Sequence, residues 1–132
     1  MPYIRKEYRN SQVLESPRSR GELNWAITTR LLLSFQNTPR GYNEHCEYRS
    51  MIEEILQSII MEKSLVRRQY TEYADSTRSL MKDVDELVWD YLARTGDTAG
   101  AKQVLRDVVL EWYRRKTSSY EDMKKQENGD LY

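Results

Sequence analysis

Apolar residues recur at helical spacing from the first quarter of the chain onward. Four large apolar side chains follow one another every fourth position: Leu23, Ile27, Leu31 and Phe35. This spacing places them on one face of an α-helix. Ser19 and Glu22 precede them as a capping box, in which the two side chains satisfy free backbone N–H groups. We therefore predict a first helix over residues 19–37, after an irregular N-terminal arm over residues 1–18.

The middle of the chain contains neither of the two helix-breaking residues. Between residues 43 and 94 there is no glycine or proline, and apolar residues keep helical spacing: Tyr48, Ile52, Ile55, Ile59, Val66, Tyr70 and Tyr73. This pattern predicts a long helical segment over residues 43–94. Asp75 and Ser76 can cap a new helix, so two alternatives stay open. The segment is either one helix about 75 Å long or two helices with a break near Asp75.

Two further helices are predicted in the last third. Gly96 stands where a helix stop is expected, and Asp97 can cap the helix that follows. One side of that helix is apolar: Ala101, Val104, Leu105, Val108 and Trp112. We expect a helix over residues 97–117, then a short helix and a tail over residues 118–132.

The elements together indicate the fold class. No run of alternating β-branched residues and no internal repeat is present. We predict an all-α fold with residues 1–132 in one domain. It is an elongated, self-associating bundle of about four helices, with a long central helix over residues 43–94.

Composition restricts the classes of function. The 21 Lys+Arg residues balance 21 Asp+Glu, so the chain has no net charge to attract nucleic acid or an anionic membrane. A mean hydropathy of −0.85 favours either long two-sided helices or a core completed by a second copy. Cys46 is the single cysteine, and residues 1–10 do not resemble a signal peptide. We expect a soluble cytoplasmic homo-oligomer without a membrane or nucleic-acid partner.

The two charge signs are distributed unevenly. Residues 1–40 hold seven basic and three acidic side chains, whereas residues 41–96 hold seven basic and eleven acidic ones. Opposite charges favour contact between these two parts, within one chain or between copies. Solvated helix faces are the alternative interpretation.

Residues that could carry catalysis or hold a metal are sparse. His45, the single histidine, stands beside Cys46. Neighbouring side chains on a helix diverge by about 100°, so the pair is poorly placed to share a metal or to act as base and nucleophile. No glycine-rich phosphate loop or hydrolase elbow occurs. We predict no metal, no cofactor and no enzymatic activity.

Aromatic and basic side chains are frequent, with ten tyrosines, three tryptophans and fourteen arginines. Such side chains suit a specific recognition surface. The middle cluster comprises Arg67, Arg68, Tyr70 and Tyr73. The C-terminal cluster comprises Trp112, Tyr113, Arg114 and Arg115. A solvated face is the alternative for both clusters, and for Trp112 the core is the favoured interpretation.

Distinctive motifs stand at both ends of the chain. It opens with Met1-Pro2-Tyr3-Ile4, continues with Gly21-Glu22-Leu23-Asn24-Trp25, and ends with Tyr120-Glu121-Asp122 and Glu127-Asn128-Gly129-Asp130-Leu131-Tyr132. In this order the motifs resemble a family of short uncharacterised proteins from bacteria and their phages. That family has an MPYI start, a GELNY-like helix start and a YED…ENGDxY tail. The resemblance covers about half the chain and leaves the middle as an insert.

The resemblance implies no particular activity, but it groups residues that we interpret as one network. The network is either a ligand site or a structural clasp, and its members are Glu22, Asn24, Trp112, Tyr113, Arg114, Arg115, Glu121, Asp122 and Asn128.

Two functional hypotheses follow. The first is a non-enzymatic, phage-related accessory or counter-defence protein that inhibits by protein–protein interaction, with a host protein or a second copy as partner. The middle cluster would then contact the partner. The alternative is an oligomer that sequesters a phosphorylated signal molecule, such as a cyclic nucleotide, between subunits. The C-terminal cluster would then supply charge and stacking.

Overall fold

The computed structural model describes residue 7 and residues 9–36, 42–61 and 75–114 of the 132-residue chain. Within these ranges the chain forms helices and no β-strand, which confirms the all-α prediction. The helices are α1 (Ser11–Glu15), α2 (Arg20–Gln36), α3 (Tyr42–Ile60), α4 (Asp75–Thr95) and α5 (Thr98–Trp112).

The short helix α1 lies in the arm that we expected to be irregular. Its N-cap is Asn10, whose side-chain Oδ1 accepts the backbone N–H of Val13 at 3.0 Å. Five residues are too few to display a helical period, so the hydrophobic pattern could not reveal this helix.

The predicted capping box starts α2. The Ser19 hydroxyl accepts the backbone N–H of Glu22 at 3.2 Å and donates to the Glu22 carboxylate at 3.2 Å. That carboxylate also accepts the backbone N–H of Arg18 at 3.4 Å. The helix begins at Arg20, one residue after the predicted start.

The turn between α4 and α5 follows the sequence prediction. Gly96 has φ +67°, a left-handed conformation that favours glycine, and its N–H donates to the Leu92 carbonyl at 2.8 Å. The Asp97 carboxylate then accepts the backbone N–H of Gly100 at 3.1 Å and caps α5.

The described part of residues 43–94 contains two separate helices, and the first of them, α3, already ends at Ile60, well before the expected break near Asp75. The Thr77 hydroxyl, near the start of α4, donates to the Glu47 carboxylate, near the start of α3, at 2.7 Å. On one continuous helix these two residues would stand about 45 Å apart. Helix α4 begins at Asp75, where the sequence offered a cap.

Contacts at both ends show that α2 and α5 run parallel. At their starts, Arg20 binds Asp97, and at their ends the ring of Phe35 packs on that of Trp112 with centroids 5.2 Å apart. We refer to these as the Asp97 end and the Trp112 end of the bundle.

Helices α3 and α4 run in the opposite direction to α2 and α5. Tyr48, near the start of α3, packs on Trp112, with ring centroids 5.3 Å apart. Tyr91, near the end of α4, donates its hydroxyl proton to Asp97 at 2.9 Å. Helix α5 packs mainly against α2 and α3, and α4 packs mainly against α2 and α3 as well.

One continuous apolar core lies between the four long helices. The described part of the chain buries 21 hydrophobic residues from all four of them, among them every predicted apolar position of α5. A single copy therefore encloses its own core, which the low mean hydropathy did not lead us to expect. The apolar residues are concentrated on one face of each helix, whereas mean hydropathy averages over all faces.

Candidate functional site: an acidic groove

A groove of about 460 Å³ opens between α1, α2 and α4. Its buried or half-buried lining residues are Leu14, Arg30 and Leu87. Its exposed lining residues are all carboxylates: Glu15, Asp83, Glu86 and Asp90. We call this feature the acidic groove. Its volume lies within the range of roughly 300–1,000 Å³ that is typical of ligand pockets.

Helix α4 supplies most of the groove because of its residue spacing. Asp83, Glu86, Leu87 and Asp90 stand at positions i, i+3, i+4 and i+7, which share one side of a helix. Leu87 lies at the edge of that side nearest the core and is 5% exposed, whereas the three acidic residues are exposed. An apolar surface thus borders a row of carboxylates.

Arg30 fixes α1 to α2 at the base of the groove. One terminal nitrogen of its guanidinium donates to the Leu14 carbonyl at 2.8 Å and to the Ala26 carbonyl at 3.2 Å. The other lies 4.0 Å from the Glu15 carboxylate. Its side chain is only 18% exposed, whereas the carboxylates that line the groove are exposed.

The groove retains a negative charge after its ion pairs are considered. The Asp90 carboxylate accepts a hydrogen bond from the Arg94 guanidinium at 2.9 Å, and the Glu15 carboxylate lies 4.0 Å from the Arg30 guanidinium. Within the described ranges, Asp83 and Glu86 form no hydrogen bond through their side chains and no ion pair. Two adjacent unpaired carboxylates beside apolar surface favour a cationic group on a partner.

A second polar cluster, which we call the Asp97 clasp, joins three helices at the Asp97 end. The Arg20 guanidinium donates to both Asp97 oxygens at 2.8 and 2.9 Å, and Tyr91 donates to one of them at 2.9 Å. The Gly100 backbone N–H donates to the other at 3.1 Å. The four donors occupy the lone-pair sites of the carboxylate.

These contacts shift the ionisation of the clasp. The hydrogen bond from Arg20 is the main cause that holds the pKa of Asp97 well below its usual value of 3.8, against an opposing effect of burial. Burial first, and then the hydrogen bond to Asp97, raise the pKa of Tyr91. Both shifts favour the charged carboxylate and the neutral phenol that the clasp requires.

Gly100 permits the close approach of α2 to α5 in the clasp. A Cβ atom at this position would overlap Asp97 Oδ2 and Arg20 Nε. The residue is buried, so the overlapping groups could not be displaced without disturbing the ion pair. Gly100 is therefore part of the clasp.

Glu22 and Asn24, from the predicted network, lie on α2 near the Asp97 end. Ser19 caps α2 by accepting the backbone N–H of Glu22, and the Glu22 carboxylate accepts the Ser19 hydroxyl proton. Asn24 is 3% exposed, and its Oδ1 accepts from the Thr28 hydroxyl at 3.3 Å. Its Nδ2 has no hydrogen-bond partner within the described part of the chain.

Trp112, Tyr113 and Arg114 lie at the opposite end. Trp112 is 5% exposed and packs on Phe35 and Tyr48, so it belongs to the core. Tyr113 is exposed, and Arg114 donates to Glu111 at 2.9 Å.

The structure does not bring the two described parts of the network together. Helix α5 separates them by about 20 Å at 1.5 Å per residue. The remaining predicted residues lie outside the described ranges. In the network these are Arg115, Glu121, Asp122 and Asn128, and in the middle cluster they are Arg67, Arg68, Tyr70 and Tyr73.

Sequence reasoning missed both the groove and the clasp. Asp97 was predicted as a helix cap, but its partner Arg20 stands 77 positions away and no local pattern joins them. In the sequence, the acidic residues of α4 contribute to the regional charge excess of residues 41–96. Their helical spacing was the one signal that could have shown that Asp83, Glu86 and Asp90 share a side.

Comparisons with protein-family models, curated proteins and solved structures find no match to this sequence. The resemblance of the chain ends to a bacterial and phage family therefore stays a prediction. Among the described helices, none is both long and apolar enough to cross a membrane. The same residues contain no group of three or more His, Cys, Asp or Glu side chains placed to hold a metal.

Proposed function

We propose that this chain is a non-enzymatic binding protein and that the acidic groove is its docking surface for a protein. The partner presents basic side chains next to an apolar one. The observation that supports this proposal is the pair Asp83 and Glu86, which are exposed and unpaired among the described residues beside Leu87. An arginine or lysine of the partner would form ion pairs with these two carboxylates, and the apolar side chain of the partner would cover Leu14 and Leu87.

The hydrogen bonding of the Asp97 clasp argues against Asp97 as a catalytic base. A general base needs a lone pair that faces a substrate. The oxygens of Asp97 accept four hydrogen bonds from Arg20, Tyr91 and Gly100. The clasp thus serves to hold α2, α4 and α5 together.

The buried position of Trp112 favours a protein partner over a nucleotide. Sequestration of a nucleotide would use the C-terminal cluster for stacking, but the Trp112 ring packs on Phe35 and Tyr48 within its own chain. The family that the chain ends resemble includes phage members. We therefore propose an accessory or counter-defence role in a bacterial or phage-infected cell, with a host protein or a second copy as partner.

A pair of labelled peptides tests the docking surface. The basic probe is a helical peptide with arginine and leucine on one face, and its counterpart has every arginine replaced by glutamate. We expect the full chain to raise the fluorescence anisotropy of the basic probe alone. Added salt should weaken this binding, because exposed charges are screened.

Substitutions that replace a carboxylate by an uncharged amide test whether the peptide binds at the acidic groove. Asp83→Asn with Glu86→Gln should weaken binding of the basic probe about fivefold, since two exposed pairs at about 0.5 kcal/mol each contribute about 1 kcal/mol together. Glu53→Gln on α3 removes an exposed carboxylate outside the groove and should leave binding unchanged. Equal binding of the two peptides, or equal loss in both variants, would contradict the proposal.

A further inference from the structure

The outer face of α5 carries basic and apolar side chains in one row. Lys102, Arg106 and Leu110 follow one another every fourth position, and Tyr113 stands three residues further on. We call this row the α5 stripe. Arg106 is exposed, Tyr113 is 42% exposed, and Leu110, at 67%, is the most exposed large hydrophobic residue of the described chain.

The α5 stripe complements the acidic groove. The stripe presents two cations followed by two apolar side chains, and the groove presents carboxylates beside Leu14 and Leu87. Along the stripe, and among the carboxylates of α4 in the groove, successive groups stand about one helical turn apart, a spacing of about 5–6 Å. The cations of the stripe thus match Asp83 and Glu86 in charge, and Leu110 matches the apolar part of the groove.

One copy cannot place its own stripe in its own groove. Helix α5 packs mainly on α2 and α3 through its core-facing residues, such as Val104 and Val108, and the stripe lies on the opposite side. The groove opens between α1, α2 and α4. The two surfaces can therefore meet only between different molecules.

We propose that the α5 stripe of one copy docks in the acidic groove of a second copy. This inference rests on the proposed function of the groove and names a second copy of the chain as its partner. The exposure of Leu110 then has a reason, since the contact covers an apolar side chain that the isolated chain leaves in water.

Two double variants test the contact through the mass of the full chain in light scattering. The stripe variant combines Arg106→Glu with Leu110→Ser, and the groove variant combines Asp83→Lys with Glu86→Lys. All four positions are exposed, so circular dichroism should show an unchanged helix content and thermal transition. We expect the wild type to exceed the mass of one chain and each variant to dissociate at least tenfold more readily.

Mixing the variants identifies the two halves of the contact. The stripe variant keeps an intact groove and the groove variant keeps an intact stripe, so an equimolar mixture should form a one-to-one dimer. Glu53→Lys on α3 is the matched charge reversal outside both surfaces and should keep the wild-type mass. A mixture that stays monomeric would overturn the inference.

A wild type that stays monomeric would also overturn the proposed contact between copies. The mass should be measured at chain concentrations up to about 0.2 mM, because a contact with a micromolar dissociation constant is nearly saturated there. The basic peptide then separates the two proposals. If the peptide still binds the groove, only the second copy is the wrong partner. If the peptide does not bind either, the proposed docking function fails as well.

Discussion

Asp97 joins three helices through one carboxylate. It accepts hydrogen bonds from Arg20 of α2, Tyr91 of α4 and the backbone of Gly100 in α5. Its side chain is 28% exposed, so solvent only partly screens these contacts. The clasp should therefore contribute to stability through Asp97 in its ionised form.

Replacement of Asp97 tests this role. We expect Asp97→Asn to lower the free energy of unfolding by about 2 kcal/mol at neutral pH, because it removes a charged cap and weakens the bonds to Arg20 and Tyr91. Chemical denaturation measures the change. Asp107→Asn, also on α5 but outside the clasp, is the control and should cost well below 1 kcal/mol.

The same variant gives a defined pH dependence. The pKa of Asp97 is lower in the folded chain than its usual value of 3.8. Its stabilisation is therefore fully present above that value and is lost as the pH falls toward the folded pKa. The stability difference between wild type and Asp97→Asn should stay constant from about pH 7 to pH 5 and narrow below about pH 4. A difference that does not change in acid would contradict the role of the ionised clasp.

At the level of single residues, the contacts between neighbours along the chain could be predicted from the sequence. The cap from Ser19 to Glu22 and the cap by Asp97 involve neighbours along the chain, and both are found. The bond from Arg20 to Asp97 depends on how α2 packs against α5, so it could not be inferred from spacing. The Asn24 Nδ2 atom, which has no hydrogen-bond partner among the described residues, likewise depends on what α2 packs against.

At the scale of helices, α3 and α4 run side by side in the same direction. Their starts meet through the bond from Thr77 to Glu47. The sequence showed helical spacing on both sides of Asp75 but could not decide whether the helix broke, because a cap residue is compatible with either alternative. The hydrogen bond between Thr77 and Glu47, which stand 30 positions apart, shows that the two helices are separate.

Spin labels at the starts of α3 and α4 test this arrangement. Arg49→Cys and Arg78→Cys occupy exposed positions, in a chain whose Cys46 is replaced by serine. Packed helices lie about 8–10 Å apart, so we expect the labels within about 25 Å of each other in pulsed electron paramagnetic resonance. One continuous helix would separate them by about 44 Å.

A pair of labels within α4 provides the reference distance. Arg78→Cys and Arg94→Cys stand 16 positions apart on one helix, which corresponds to about 24 Å. A distance between positions 49 and 78 well above this reference would contradict the side-by-side arrangement of α3 and α4.

At the scale of the whole molecule, each long helix has an apolar side in the common core and a charged side in solvent. Within the described ranges, the apolar positions predicted for α2, α3 and α5 are buried, because periodicity along one helix reports burial directly. The acidic groove depends on the placement of three helices. Its residues from α1, α2 and α4 are up to 76 positions apart in the chain, so the groove could not be predicted from local patterns.

We propose above all that the acidic groove recognises a basic protein segment. The most direct measurement is the map of backbone amide chemical shifts in the full chain during titration with the basic probe peptide. We predict that the largest shifts fall on Leu14, Arg30, Leu87 and their neighbours, while the outer face of α3 around Glu53 changes little. Shifts that centre on α3, or no shifts at peptide concentrations that saturate the anisotropy signal, would contradict it.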